Sequence, residues 1–322
     1  MVRTGLAVQV AFIVFLMGSA SAEADKSVVR ELRFEPVHTD RSRTVPVKIY
    51  LRSSSTAQPV VLFSHGLGGS RENSAYLGKY WAAAGYVAVF MQHAGSDESV
   101  WKPVPAGQGL AALKAAASVS SFLQRNADVS FVIDKLAAWN RSDGHELRGQ
   151  MNLDQIGMSG HSFGAVTTLA AAGRKFPFGR SFPDNRIDAF LAMSPQPGKG
   201  LDPKEAFGHL ASPILCMTGT KDSSPVNATL SPLARQEVYA ALPPGDKYQL
   251  VLKYAEHSAF SDSRGPWAKH RNPAHHPAIQ KISLMFWNAY LNGSAEAETW
   301  LQSKKPIKNT GLSDGDVWQW KE

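Results

Sequence analysis

The chain has 322 residues, 43% hydrophobic and 19% charged, which is enough apolar material for a sizeable core and excludes a disordered or low-complexity protein. Its formal charge of +7 is carried by Lys and Arg that occur singly or in pairs, such as Lys304-Lys305, without the basic stripe interleaved with aromatics that nucleic-acid binding requires. The single cysteine, Cys216, excludes an internal disulfide and, lying in the apolar run Ile214-Leu215-Cys216-Met217, reads as a small buried hydrophobe.

Residues 1–22 have Arg3 near the start, an apolar run from Leu6 to Met17 and the small residues Ala20-Ser21-Ala22, the pattern of a signal peptide cleaved after Ala22. The run is shorter than the ~20 residues that cross a bilayer, and no later segment is continuously apolar for that length. The expected mature chain is therefore exported, secreted or periplasmic, without stable membrane insertion; it keeps a charge of +6, since Arg3 is the only charge removed.

Two β-rich segments follow, Val28 to Phe34 and Val45 to Leu51, and then the unalternating run Val60-Val61-Leu62-Phe63, which predicts a strand buried on both faces. Similar runs recur at Tyr86 to Phe90, Ile156 to Met158, Ala189 to Met193, Ile214 to Met217 and Tyr248 to Leu252. Helical patterns lie between them at Ser74 to Ala84, Gly109 to Leu136 with an interruption, Ser162 to Arg174, Leu233 to Ala241 and Ala278 to Leu291. Alternating strands and helices predict a mostly parallel sheet with helices on both faces. No repeat and no linker is evident, so residues 23–322 read as one catalytic domain with little or no separate cap. The irregular stretches Ala94 to Gln108 and Asn140 to Asn152 are candidates for loops over a site.

Chemistry concentrates at four places. Gly160-His161-Ser162-Phe163-Gly164 follows the run at Ile156 and precedes an apolar helical pattern. A G-x-S-x-G motif between strand and helix makes a sharp turn that exposes its serine as a nucleophile; read alone, it also fits a helix cap at Ser162. Ser64-His65-Gly66-Leu67-Gly68-Gly69, after the run at Val60, is a loop of the kind that supplies an oxyanion hole, with the amides of Leu67 and Phe163 as donors; the alternative is an ordinary Gly-rich turn. A serine hydroxyl needs a base held by an acid, in this architecture in the order Ser, Asp or Glu, His. Asp222, ending Thr218-Gly219-Thr220-Lys221-Asp222 at a strand's carboxyl edge, is the candidate acid, ahead of Asp184 and Asp188, although the stretch is turn-like. His257, after the predicted last strand, is the candidate base. His65 and His161 are expected to shape their loops and line the pocket, and His93, after the run at Tyr86, is expected either to line the pocket or to take a structural role. His270, His275 and His276 are expected in surface or capping roles, and no histidine cluster has a carboxylate or cysteine at metal-ligand spacing, so no metal is expected.

The stretches Ser64-His65-Gly66-Leu67-Gly68-Gly69, Trp81-Ala82-Ala83-Ala84-Gly85-Tyr86, Gly160-His161-Ser162-Phe163-Gly164 and Gly219-Thr220-Lys221-Asp222 resemble the platelet-activating-factor acetylhydrolase-like branch of the α/β-hydrolases, whose bacterial members are often described as dienelactone-hydrolase-like. The resemblance runs from about residue 45 to 302 and takes in Asp128 to Asp134. It implies a Ser-His-Asp esterase of the α/β-hydrolase fold with no metal and no organic cofactor, similar also to polyester-cleaving cutinase-like enzymes. Two departures stand out: dienelactone hydrolases carry a cysteine where this chain has Ser162, and the disulfide common in cutinase-like enzymes is excluded by the single cysteine. The expected activity is hydrolysis of a small-molecule, lipid or polyester ester through an acyl-enzyme on Ser162. An amidase or peptidase on the same constellation, and an inactive binding protein that keeps the fold, are the alternatives.

Overall fold

The computed structural model describes residues 28–224, 226–227, 230–262 and 271–322. The expected signal peptide and His270 lie outside them.

In chain order the strands are β1 (Val29–Phe34), β2 (Val37–His38), β3 (Arg43–Thr44), β4 (Val47–Arg52), β5 (Gln58–Ser64), β6 (Val87–Met91), β7 (Met151–His161), β8 (Ala189–Met193), β9 (Ile214–Lys221), β10 (Lys247–Glu256) and β11 (Val317–Lys321). Apart from the small β2–β3 ladder, the described strands form one nine-stranded sheet in the order β1-β4-β6-β5-β7-β8-β9-β10-β11. The run from β6 to β10 is parallel. The antiparallel pairs lie at the edges: β1 with β4, β4 with β6, and β10 with β11. Helices α1 (Ala75–Ala83), α2 (Gly109–Ala116), α3 (Val119–Arg141), α4 (Phe163–Ala171), α5 (Pro203–Phe207), α6 (Pro232–Ala241), α7 (His275–Tyr290), α8 (Ala295–Leu301) and α9 (Lys305–Lys308) complete the chain. This is the α/β-hydrolase fold.

The unalternating strands have the physical consequence expected of them. Successive β5 side chains point to opposite faces, and both faces are covered. Val60 and Leu62 join a core with Val132 of α3, Leu169 of α4 and Val238 of α6. Val61 and Phe63 join the opposite core with Trp81 of α1 and Phe286 and Trp287 of α7. Each such side chain removed from water contributes about 1.5–3 kcal/mol. Cys216 is buried and unpaired in β9, and burial pushes its thiol up to about 12.

Tyr248 to Leu252 is not the last strand: β11 pairs with it as an antiparallel edge, Leu250 opposite Trp318, and Trp318 stacks on Tyr248 at 5.7 Å. The interruption expected between Gly109 and Leu136 falls between α2 and α3, where Ser118 caps α3 by accepting a hydrogen bond from Ser121 N. The stretch from Asn140 to Asn152 lies away from any site, at the amino end of β7, where the Asn140 side chain holds Met151 through both its backbone N–H and its carbonyl.

Candidate active site

The carboxyl ends of the parallel strands converge on one cavity of about 1160 Å³. Ser162 stands between β7 and α4 with φ 58° and ψ −113°, a positive φ rarely adopted by a residue with a side chain. Its N–H donates to Met193 O at 2.9 Å, which anchors the turn to β8. The flanking glycines are explained by close approach. A Cβ on Gly164 would lie 1.8 Å from Ser64 O, and one on Gly160 would lie 2.4 Å from the Gly164 backbone. Only hydrogen at both positions lets α4 start hard against β5 and leaves the serine hydroxyl exposed above the sheet.

His257 opens a short 3-10 turn directly after β10. Its Nε2 lies 2.9 Å from Ser162 Oγ and its Nδ1 lies 2.7 Å from Asp222 Oδ1. With Nδ1–H donating to the carboxylate, Nε2 is the acceptor for the serine hydroxyl. Asp222 is fully buried. Burial alone would raise its carboxyl, yet hydrogen bonding to His257 and the cation of Arg235 hold it below its ordinary value. Thr218 Oγ1 donates to its second oxygen at 2.9 Å.

The loop after β5 faces Ser162: a Cβ on Gly66 would stand 3.4 Å from Ser162 Cβ. The Gly66 carbonyl accepts from His65 Nδ1 at 2.6 Å and from Gly69 N at 3.0 Å. Because a trans peptide sets N–H opposite to C=O, pinning that carbonyl fixes the direction of the Leu67 N–H. Among the described residues neither the Leu67 nor the Phe163 N–H donates to a protein acceptor. His65 is itself fixed as the Nδ1–H tautomer, since its Nε2 accepts from His93 N at 3.0 Å. Burial, followed by the charge of Arg125, holds its imidazole well below the ordinary range.

One buried guanidinium joins the two amide-bearing segments. Arg125 of α3 donates through Nη2 to His65 O and to Ser64 Oγ, the latter at 3.0 Å, through Nη1 to Ser96 Oγ at 2.8 Å and through Nε to Thr167 Oγ1 at 3.1 Å. It also lies over the Phe163 ring, 4.7 Å from its centroid. Behind it, His93 bridges Ser64 Oγ and Asp128, each at 3.0 Å, and Asp128 binds Arg41 and Arg43 at 2.9 and 2.7 Å. Of the two roles open to it, His93 takes the structural one: it is a fully buried strut and does not line the cavity. Burial and the Arg125 charge push its imidazole down to about 4.

His65 and His161 do border the cavity. His161 Nε2 contacts His257 O at 3.0 Å, and burial, then the neighbouring His257, pushes it down to about 3. The stretch from Ala94 to Gln108 contributes Glu98, Trp101 and Lys102 to the wall, and Leu110 and Leu113 of α2 continue it. His275 and His276 are not surface caps: His275 is buried, and His276 stacks on Tyr76 at 3.8 Å with its Nε2 3.1 Å from Ala259 O. Asp262, a few residues after His257, accepts from the N–H groups of Ser74 and Tyr76 at 2.6 and 3.3 Å and so ties this turn to the start of α1. The described residues contain no group of three His, Cys, Asp or Glu that could hold a metal, and no described helix is long and apolar enough to cross a membrane.

Sequence reasoning missed Arg125 and Arg235, the two fully buried arginines among the described residues. Their one local signal is an arginine inside an apolar helical pattern, as in Phe122 to Val132 and Leu233 to Val238, where a buried charge demands partners that only folding supplies. Residues 15–102 match the family model for platelet-activating factor acetylhydrolase, isoform II. The matched stretch includes β1 to β6 and the loop bearing Leu67, and it ends before Ser162, Asp222 and His257. No curated protein matches the chain.

Proposed function

We propose that this chain, a platelet-activating-factor acetylhydrolase-like α/β-hydrolase, hydrolyses carboxylic esters with Ser162 as nucleophile, His257 as general base and acid, and Asp222 as the carboxylate that orients the imidazole. The observation that carries the reading is the unbroken series of hydrogen bonds from Ser162 Oγ through His257 to the buried Asp222, opening on a cavity large enough for a lipid-sized ester.

Ser162 Oγ attacks the ester carbonyl carbon as its proton passes to His257 Nε2. The carbonyl oxygen becomes an oxyanion between the Leu67 and Phe163 N–H groups, each worth roughly 3 kcal/mol to the transition state by analogy with other oxyanion holes. Collapse breaks the bond to the alkoxy oxygen, which takes the proton from Nε2 and leaves as the alcohol. Water then loses a proton to the same nitrogen, adds to the acyl-enzyme and releases the acid and free Ser162. The positive φ of Ser162 suits this task, because it turns the hydroxyl out of the helix cap and toward the imidazole.

The apolar wall of Leu67, Trp101, Leu110 and Leu113 fits an acyl or alkyl chain, so the substrates are small-molecule, lipid or polyester esters. Residues 1–22 direct export by their sequence pattern. Purified wild-type protein should hydrolyse short-chain p-nitrophenyl esters and take up a fluorophosphonate probe. Ser162→Ala should abolish labelling and lower kcat by about 10⁶-fold, the loss known for serine nucleophiles elsewhere. Unchanged hydrolysis in that variant would overturn the reading.

A further inference from the structure

Arg235 of α6 is 1% exposed and sits behind the imidazole. Its Nε donates to the Asp222 main-chain oxygen at 2.7 Å and lies 3.0 Å from Asp222 Oδ1. Its Nη1 donates to Ser194 O at 2.7 Å and Pro195 O at 3.2 Å, and its Nη2 stands 3.2 Å from His257 Nδ1. One planar group thus clamps the carboxyl ends of β8 and β9 and touches the base. Since Nδ1–H already donates to Asp222, Nη2 finds no acceptor on the ring, and this contact acts on the imidazole through charge alone.

The groups that face the imidazole are Asp222 from the loop after β9, Arg235 from α6, and His161 and Ser162 from the junction of β7 with α4. Lys221 and Glu256 border the same cavity. His161, pushed down to about 3, is neutral at any working pH, so among the described residues Asp222 and Arg235 are the charges in contact with the ring. A lone carboxylate there would favour the imidazolium, and a cation at similar distance opposes it.

We propose that Arg235 is a positioning residue whose cation offsets the Asp222 carboxylate at His257, so that the imidazole stays neutral, and the enzyme active, at lower pH than the carboxylate alone would permit. The proposal rests on the reading of His257 as the base, but its electrostatic core can be measured without turnover.

The test compares Arg235→Gln, which removes the charge and keeps an amide donor for the carbonyls, with Arg235→Lys, which keeps a cation and loses the planar fork. Profiles of kcat/KM against pH are recorded by pH-stat on a soluble short-chain ester. The His257 imidazole is titrated in parallel by NMR in histidine-labelled protein, its signal identified by its loss in His257→Gln. Arg235→Gln should move the acid limb, and the NMR midpoint, up by about one unit, while Arg235→Lys loses rate with the limb unmoved. An acid limb and NMR midpoint that stay in place in Arg235→Gln would leave Arg235 a structural clamp and overturn the proposal. If Arg235→Gln does not fold, Asp222→Asn is compared with Asp222→Asn/Arg235→Gln, in which neither buried charge is left unopposed. A higher NMR midpoint in the double variant supports the proposal, and equal midpoints overturn it. A shifted NMR midpoint in a protein whose hydrolysis ignores Ser162→Ala would sustain the electrostatics and sink only the catalytic reading.

Discussion

The two sides of the site are each organised by a single buried arginine, and they use it differently. On the side of the Leu67 and Phe163 amides, Arg125 grips carbonyl and hydroxyl oxygens and reaches no titrating group of the proposed reaction. On the side of the base, Arg235 grips carbonyls as well but places its charge against His257 and Asp222. The amide side needs fixed dipoles, and a guanidinium that only holds shape is sufficient there. On the other side the proposed base changes charge in the proposed reaction, so the same side chain is proposed to act electrostatically as well. Rigid geometry and tuned charge are separate requirements, and in this proposal each falls to an arginine from a different helix.

Substitutions that separate the two sides test this comparison. The largest effect is expected at the carboxylate: Asp222→Asn should lower kcat by about 10⁴-fold with KM little changed, and a loss of only a few fold would show that another acid orients His257. On the amide side, Arg125→Met and His65→Phe should each lower kcat by about 10²-fold, the scale of losing one oxyanion donor. The acid limb of the pH profile should stay where it is, and its movement in Arg125→Met would erase the proposed difference between the arginines.

Stability should respond to pH through the buried histidines. The folded values of His93 and His161 lie near 4 and 3, below the ordinary 6.5, so the unfolded chain takes up protons that the folded one does not. Their contribution is complete above pH 6.5 and is lost progressively as pH falls toward 4 and then 3, at about 1 kcal/mol per pH unit for each group. Denaturant unfolding at a series of pH values would detect this, and a midpoint independent of pH between 7 and 4 would contradict it. The smallest effect is expected at the wall. Leu113→Ala should alter the preference between short and long acyl chains by about 10-fold or less, seen as changed kcat/KM ratios across a chain-length series while the shortest substrate is unaffected.

Much of the fold was legible because each central strand contains a run of consecutive apolar residues, and burial on both faces admits few arrangements. Ala189 to Met193 was found at its observed ends, and Val60 to Phe63 within a residue or two of them. The edge strand Val317–Lys321 was not found: its residues Val-Trp-Gln-Trp-Lys pair with β10 on one side only and lack the apolar run of a buried strand. The loop from Asn140 to Asn152 was set over the site for its length alone, and its anchoring to Met151 shows why length does not give direction. For His93 the sequence leaves a pocket role and a structural role both open, because it follows a strand at the correct edge; the edge is thicker than one layer and His93 lies beneath it, bound to Ser64 and Asp128.

By itself the sequence determined the fold class, the strained turn at Ser162 and the candidates for nucleophile, acid and base, because those depend on local chemistry: glycines where backbones must touch, apolar runs where strands are buried, and a carboxylate at a strand's end. Only the tertiary structure decided that Arg125 spans both amide segments, that the His93 N–H fixes the His65 ring, and that Arg235 faces the imidazole. Those contacts join residues tens of positions apart, and a buried guanidinium acquires its role from the oxygens and charges that folding brings around it.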